Sequence, residues 1–452
     1  MIFLVAFLSL LSQVTLLVGS QGLLPARDFL VPQRTFLDAP TLFWLGHGDT
    51  TLRAAAIGGA VVSFGLILNL APRWCLVVLW SLYLSFVTIG QDFLAFQWDN
   101  LLLESTFFAL FVAPGGVRPR DAPPPHPLAV FLMLWLVFRL QVESGAAKLL
   151  LGDPTWRDLT AMTTYYETAP LPTWVGWWAH QMPLWGHRAT GVFVYVTEIG
   201  LPLFVWGPPA LRAAAFVGLA AMQVGVALTA NYGFFNYLTV ALLLFVLDDR
   251  QLGRRPRPVE PARRSPALAG VAAAVVALSV VQFLPFVPAA QGLDQFLFPV
   301  RRTLNAFRTI NSYHLFAQMT LVRREAVIEG SMDGVTWLPY EFRYKPGDPR
   351  RAPEFVAPHQ PRVDFQLWFL LLGPRPGARY FDHLLVRLLQ APGVVAPLFA
   401  RDPFAGAPPR LVRVAIYRYR FTDVAIRRAT GAWWARELLG YSPPRSAESL
   451  RD

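Results

Sequence analysis

The chain has 452 residues, 54% of them hydrophobic and only 15% charged, with a mean hydropathy of +0.39. An ordinary soluble domain is about 25% charged, so lipid is the expected solvent for much of this chain. The formal net charge of +11 sits on arginines in short loops beside apolar runs, with no nucleic-acid motif, so no nucleic-acid partner is expected. The single cysteine, Cys75, excludes an intrachain disulfide and a multi-cysteine metal site.

A membrane span needs about 20 mostly apolar residues. Nine runs approach this: 1–19, 54–70, 74–90, 101–112, 128–147, 190–206, 213–229, 234–247 and 267–287. The fourth and eighth are short and are expected to be tilted or re-entrant. The first has neither a basic leading segment nor a clear cleavage site and is expected to be a retained anchor. Cytoplasmic loops carry an excess of Lys and Arg, and the segment 249–265 holds Arg250, Arg254, Arg255, Arg257, Arg263 and Arg264. Placing it inside also puts Arg212, Arg118, Arg120 and Arg73 inside, and sends everything after Val287 to the outer face. The long connection 148–188 is then outside. Its Trp156, Trp174, Trp177, Trp178 and Trp185 suit the membrane interface.

Beyond Pro299 the pattern changes to short alternating segments, predicting an α+β tail with a β core over 299–441, after a multi-pass α-helical membrane bundle over 1–290. Tyr340, Phe342 and Tyr344 alternate with Glu341, Arg343 and Lys345, as in a half-buried strand. Asp333-Gly334 before them is a hairpin signal, because both positions tolerate positive φ. In 411–421 the apolar phase shifts between Ile416 and Tyr417, which predicts a bulge or burial on both faces. Phe381, Leu384, Leu385, Leu388 and Leu389 keep helical spacing until Pro392-Gly393.

A charge at mid-bilayer costs at least about 2.5 to 3.5 kcal/mol, so each ionisable residue inside a span needs a reason. Arg139 and Glu143, spaced i and i+4, share a helix face and can neutralise each other. Glu104 and Glu198 are further candidates, and Lys148 stands near an outer end where it can snorkel. Such groups serve as polar glue between helices, as a substrate site or as an ion path. The histidines show no metal-binding spacing, and His180 and His187 read as solvated interfacial residues. With no nucleophile elbow, P-loop or dinucleotide fingerprint, neither a cofactor nor a metal is expected and no catalytic residue is assigned.

Several strings are more distinctive. Phe96-Gln-Trp-Asp-Asn-Leu-Leu-Leu-Glu104, Asn311-Ser-Tyr313, Gly330-Ser-Met-Asp-Gly-Val-Thr-Trp337, Tyr344-Lys-Pro-Gly347 and His359-Gln-Pro-Arg-Val-Asp-Phe-Gln-Leu-Trp368 resemble the lipase maturation factor family. The likeness runs from the first span to Trp433-Trp434. It implies a membrane protein, of the endoplasmic reticulum in eukaryotic members and of the cell membrane in a bacterial one. Its lumenal or outer part would act as a chaperone for exported lipases or other secreted clients. A membrane-embedded enzyme of the vitamin K-dependent carboxylase type is the alternative.

Within the 359–368 string, His359, Gln360, Arg362, Asp364, Gln366 and Trp368 are candidate client-binding residues. Arg362 can grip a carboxylate bidentately, and Trp368 supplies area. An internal ion pair of Arg362 with Asp364 or another tail carboxylate is the competing reading. The expected partners are therefore an exported protein, with a lipase as the implied case, and membrane lipid. The charge pattern makes a topological prediction: reporters fused at Gly253 and after Asp452 report opposite faces of the membrane, and finding both on one face would overturn the assignment.

Overall fold

The computed structural model describes residues 1–120, 122–254, 264–373 and 378–450; most of the 249–265 arginine loop therefore lies outside the described residues. Among those described, five helices are long and apolar enough to cross a membrane: Asp49–Ile67, Pro72–Ile89, Pro127–Leu150, Pro209–Thr229 and the segment Pro266–Phe286. The other four predicted runs are short or broken. Run 1–19 divides into helices Ile2–Leu11 and Val14–Val18. Run 101–112 belongs to the helix Gln97–Val112, and run 234–247 to Phe235–Leu243 with a tight 3-10 turn after it. Run 190–206 is helical over Leu184–Tyr195, then loosens into a π turn, Val196–Gly200, and tightens into a 3-10 turn, Leu201–Phe204.

Burial ranks these helices. The most apolar window of Pro127–Leu150 is 67% buried, against 17% for Pro209–Thr229, so the former is the bundle's axis and the latter part of its lipid-facing wall. Gln97–Val112, Phe235–Leu243 and Pro266–Phe283 pack around the axial helix. Two faces of that helix diverge in role. Arg139 and Glu143 fall on one side, and Gln141, Ser144 and Lys148, at i, i+3 and i+7, fall on another.

The tail contains a four-stranded antiparallel sheet ordered β2-β1-β5-β6, with β1 Arg323–Ser331, β2 Leu338–Pro339, β5 Leu411–Phe421 and β6 Trp434–Tyr441. A second, two-stranded sheet pairs β3 Glu341–Phe342 with β4 Phe399–Arg401. β1 and β5 run in unbroken register from Arg323 opposite Tyr419 to Ser331 opposite Leu411. The phase shift expected in β5 is present: Val412 and Val414 point inward, then Tyr419 and Phe421 do. The extra residue is on the partner strand, since Ile416 faces Gly440 and Tyr417 faces Leu438. The turn after β1 closes on Asp333, whose carboxylate accepts the amides of Val335 at 2.8 Å and Thr336 at 2.7 Å, while Gly334 takes φ +79°. The helix Arg379–Gln390 buries Phe381, Leu384, Leu385, Leu388 and Leu389 as its spacing predicts.

The strand expected at 340–345 is interrupted. Tyr340 and Phe342 do point inward, but so does Lys345, whose ammonium reaches Glu325 at 2.8 Å. Asp364 takes the amides of Tyr344 and Lys345 at 2.9 and 3.0 Å, removing them from any ladder. A buried ion pair thus overrides a period-two pattern.

The connection 148–188 does not lie wholly on the lipid surface. Trp174, Trp178 and Trp185 are exposed, but Trp156 and Trp177 are buried. Trp156 donates to the Phe316 carbonyl at 2.9 Å, and Trp177 meets Trp433 edge-on at 5.4 Å. Arg323 of β1, fully enclosed, donates to the carbonyls of Glu167 and Pro170 at 2.9 Å each, contacts that of Ala169, and pairs with Glu325. The connection and the tail sheet are therefore bolted together.

Candidate functional site

Two charged knots join the bundle to the chain that follows it. The first is built on Glu104 and Arg139, which face each other across neighbouring helices in direct contact. Both are almost fully buried. Arg139 also approaches Glu143 at 3.5 Å, one turn along its own helix. The segment Asn311-Ser312-Tyr313 threads this cluster. Arg139 donates to the Asn311 carbonyl at 2.8 Å, and Glu104 Oε2 accepts the Asn311 amide at 2.9 Å, its side-chain nitrogen at 2.9 Å and the Tyr313 hydroxyl at 2.8 Å. Glu143 accepts the Tyr313 amide at 2.8 Å. Two backbone amides, a carboxamide and a phenol thus supply the donors that one guanidinium cannot. Such satisfaction is what makes burying ionised groups tolerable.

In the second knot Arg362 grips Asp99 with two parallel bonds, 2.6 and 2.8 Å, and donates to the Phe93 carbonyl at 3.1 Å. The Tyr83 hydroxyl donates to Asp99 at 2.6 Å. The fork-on-carboxylate geometry is the strong form of this contact. Around it, Gln13 accepts the Arg362 amide at 3.0 Å and donates to the Gln360 carbonyl at 2.8 Å, and Ser9 Oγ lies 2.9 Å from His359 Nδ1 and accepts the Gln360 amide at 3.1 Å. Here the first run breaks between its two helices, so the Gln13 side chain and the Ser12-Gln13 break face the incoming string. Asn231 makes a parallel contact, accepting the amides of Val356 and Ala357 at 2.8 and 2.9 Å.

Comparison with known proteins follows this division of the chain. Residues 1–254 match the family model described as the lipase maturation factor transmembrane domain, and residues 309–444 match the one described as the lipase maturation factor C-terminal domain. The chain belongs to the lipase maturation factor family. It is 32% identical to lipase maturation factor 2 of Homo sapiens, over 96% of this chain and 80% of that protein. It is 33% identical to lipase maturation factor 1 of Bos taurus, over 100% and 88% respectively. No solved structure matches it. With five helices of spanning length and a match to the family's transmembrane domain, it is an integral membrane protein.

For this family member the residues singled out by sequence fall into place as follows. Glu104, Arg139 and Glu143 come together, with Glu104 and not Glu143 as the closer partner of Arg139. Lys148 does not snorkel: it is buried and bonded to Glu198 at 2.9 Å and to the Leu315 carbonyl at 2.7 Å. Gln360, Arg362 and Asp364 are buried, so in this structure the 359–368 string is an internal connector and not an exposed grip. Arg362 takes a bundle carboxylate, Asp99, rather than Asp364. His359, Gln366 and Trp368 are half-buried. Asp99, Asn311 and Tyr313 stand inside the distinctive strings with no role marked by spacing, and nothing in the sequence around Tyr83, Gln13, Arg323 or Glu325 marks them as members of these clusters. An acid without a local partner in an apolar helix was the available signal for Asp99.

His187 is not solvated, and His180 is only partly so. The tail residue Phe421 lies 5.5 Å from the His180 ring, and His187 is almost fully covered. Burial, and then His187, lowers His180 to about 4, and burial lowers His187 as well. The 3.7 Å approach of His180 to Glu167 is consequently not an ion pair at neutral pH.

Two predictions follow from this geometry. Arg139→Met strands Glu104 and costs about 3 to 5 kcal/mol. The double variant with Glu104→Leu should lose clearly less than the sum of the singles, whereas coupling to Glu143→Leu should be weaker. Thermal unfolding in detergent measures both cycles, and equal coupling would contradict the assigned partner. For pH, an unfolded histidine protonates near 6.5, while folded His180 stays neutral down to about 4. The unfolded state then binds more protons between those values, so stability falls with acidification through that window. Unfolding midpoints at pH 7.5 and 5.0 should differ in the wild type and differ less in His180→Gln; an unchanged difference would refute the assignment.

Proposed function

We propose that the chain is a membrane-anchored maturation factor that assists folding or assembly of an exported client, a lipase or another secreted protein, with its tail on the outer or lumenal face. The observation that carries this reading is the end-to-end match to proteins named for lipase maturation, spanning bundle and tail alike. The charge pattern of the loops supports the placement of the tail.

The geometry supports a division of labour. The knots at Asp99 and Glu104 hold the tail in one attitude on the bundle. The surfaces left to a client are then the open edge and apolar tips of the tail sheet. β6 is an edge strand carrying exposed Leu438 and Leu439, and the turn after β1 projects Met332 and Val335, the latter 82% exposed. An unpaired strand edge pairs with an extended segment of another chain, and exposed apolar residues beside it add contact area. The 359–368 string contributes by fixing this platform, with Trp368 on its half-exposed side.

Removing the gene from cells that export a lipase tests the reading. The activity per mass of secreted lipase should fall severalfold and return with the wild-type chain. Lys substitutions at Leu438 and Leu439, which oppose edge pairing without removing a backbone donor, should restore less while accumulating normally. Exported lipase and all other exported enzymes staying at full activity in the deletion would overturn the proposal.

A further inference from the structure

A cavity of about 190 Å³ lies on the face of the axial helix opposite the Glu104 knot. Its walls are largely aromatic and aliphatic, with Trp156, Tyr165, Tyr232 and Phe193 among them. Gln141, Ser144 and Lys148 reach it from the axial helix, and Glu198 reaches it from the π turn. It opens sideways, because Phe193 on one helix and Ala221 and Gly225 on the lipid-facing helix Pro209–Thr229 line it and are themselves exposed.

Most polar groups on its wall are already matched. Lys148 gives its protons to Glu198, to the Leu315 carbonyl and, at 3.4 Å, to the Ser144 carbonyl. Asn236 donates to Gln223 at 2.9 Å, and the hydroxyls of Tyr165 and Tyr232 are 3.4 Å apart. Two donors are left over. Gln141, 3% exposed, and Trp98, also 3% exposed, both line the cavity, and Gln141 Nε2 and Trp98 Nε1 have no partner among the described residues.

We propose that this cavity is a lipid-binding site, entered from the bilayer between Phe193 and Gly225, that takes the acyl chain of a neutral lipid and bonds its ester carbonyl oxygen to Gln141. The volume exceeds that of a dry cavity that holds benzene, about 150 Å³, so it accommodates a segment of chain while the remainder extends through the opening. A leftover N–H calls for an acceptor, and an ester carbonyl is an uncharged one. The head is neutral because Lys148 is already balanced by Glu198; a carboxylate would add an uncompensated buried charge. The site stands apart from the client-handling reading and does not depend on it.

The full chain in lipid nanodiscs, photolabelled with a monoacylglycerol bearing a diazirine in its acyl chain, tests this. Label should appear on the peptides containing Tyr165, Phe193 and Gly225. Excess 1-monooleoylglycerol should displace it about fivefold better than oleate, the margin expected for one satisfied hydrogen bond without a buried charge. Oleate competing equally would overturn the neutral carbonyl. A side chain at Gly225 meets open space, so Gly225→Phe should narrow the doorway without strain and remove cavity label while label on the Pro266–Phe283 helix persists. Ala221→Leu is the second doorway variant. Cavity label unchanged in a folded doorway variant would overturn the route, and Gln141→Leu leaving the monooleoylglycerol preference intact would overturn the hydrogen bond.

Discussion

Arg362 reaches Asp99 across 263 residues of sequence, and the bundle cannot be electrically settled without that reach. Among the described residues its buried carboxylates are Asp99, Glu104, Glu143 and Glu198, and its buried cations are Arg139 and Lys148. Four acids against two bases is a poor balance for a low-dielectric interior, where an unpaired charge costs several kcal/mol. The chain after the last span corrects it. Arg362 neutralises Asp99, and Asn311 and Tyr313 surround Glu104 and Glu143 with donors. The tail is thus part of the solvent for the bundle's charges.

This coupling changes what the two family-model segments mean structurally. They match 1–254 and 309–444, yet each holds one half of a buried pair. The 148–188 connection adds a second set of bolts through Arg323 and the carbonyls of 167–170, and the aromatic contact of Trp177 with Trp433. Charged groups at these junctions are individually expensive and pairwise specific, so they fix one attitude of the tail on the bundle where apolar packing alone would tolerate several. Presenting a strand edge to a client, as proposed above, requires that single attitude.

What sequence could show depended on range. Spacing within a helix is local, so the five spanning helices, the buried stripe of Arg379–Gln390 and the i, i+4 approach of Arg139 to Glu143 were readable. The phase shift in β5 was readable too, though not that the extra residue sits on β6. Partners from distant segments were not readable, because periodicity gives the face a side chain occupies and never what meets it there. Glu104 outcompeted Glu143 for Arg139 for this reason, and Asp99 replaced a tail carboxylate as the partner of Arg362. The 340–345 strand failed differently: alternation was correct at Tyr340 and Phe342, but Glu325 drew Lys345 inward and ended the ladder.

Lys148 and Glu198 show how backbone irregularity serves electrostatics. Lys148 sits in the last turn of a 24-residue helix and had the length to reach the interface. It stays inside because the π turn carrying Glu198 approaches the axial helix at Gly145, where even a Cβ would come within 2.6 Å of Ile199 and 3.0 Å of Glu198. Glycine there permits the contact, and the π turn aims the carboxylate at the ammonium. Beyond it the chain stays on the axial helix through the 3-10 segment Leu201–Phe204, and Trp206 packs against Phe138 at 5.2 Å. The cavity lies on the other side of the turn, where Thr190, Phe193 and Val194 precede Glu198. The Lys148–Glu198 pair on the cavity wall therefore depends on one departure from regular helix and on the glycine that lets it come close.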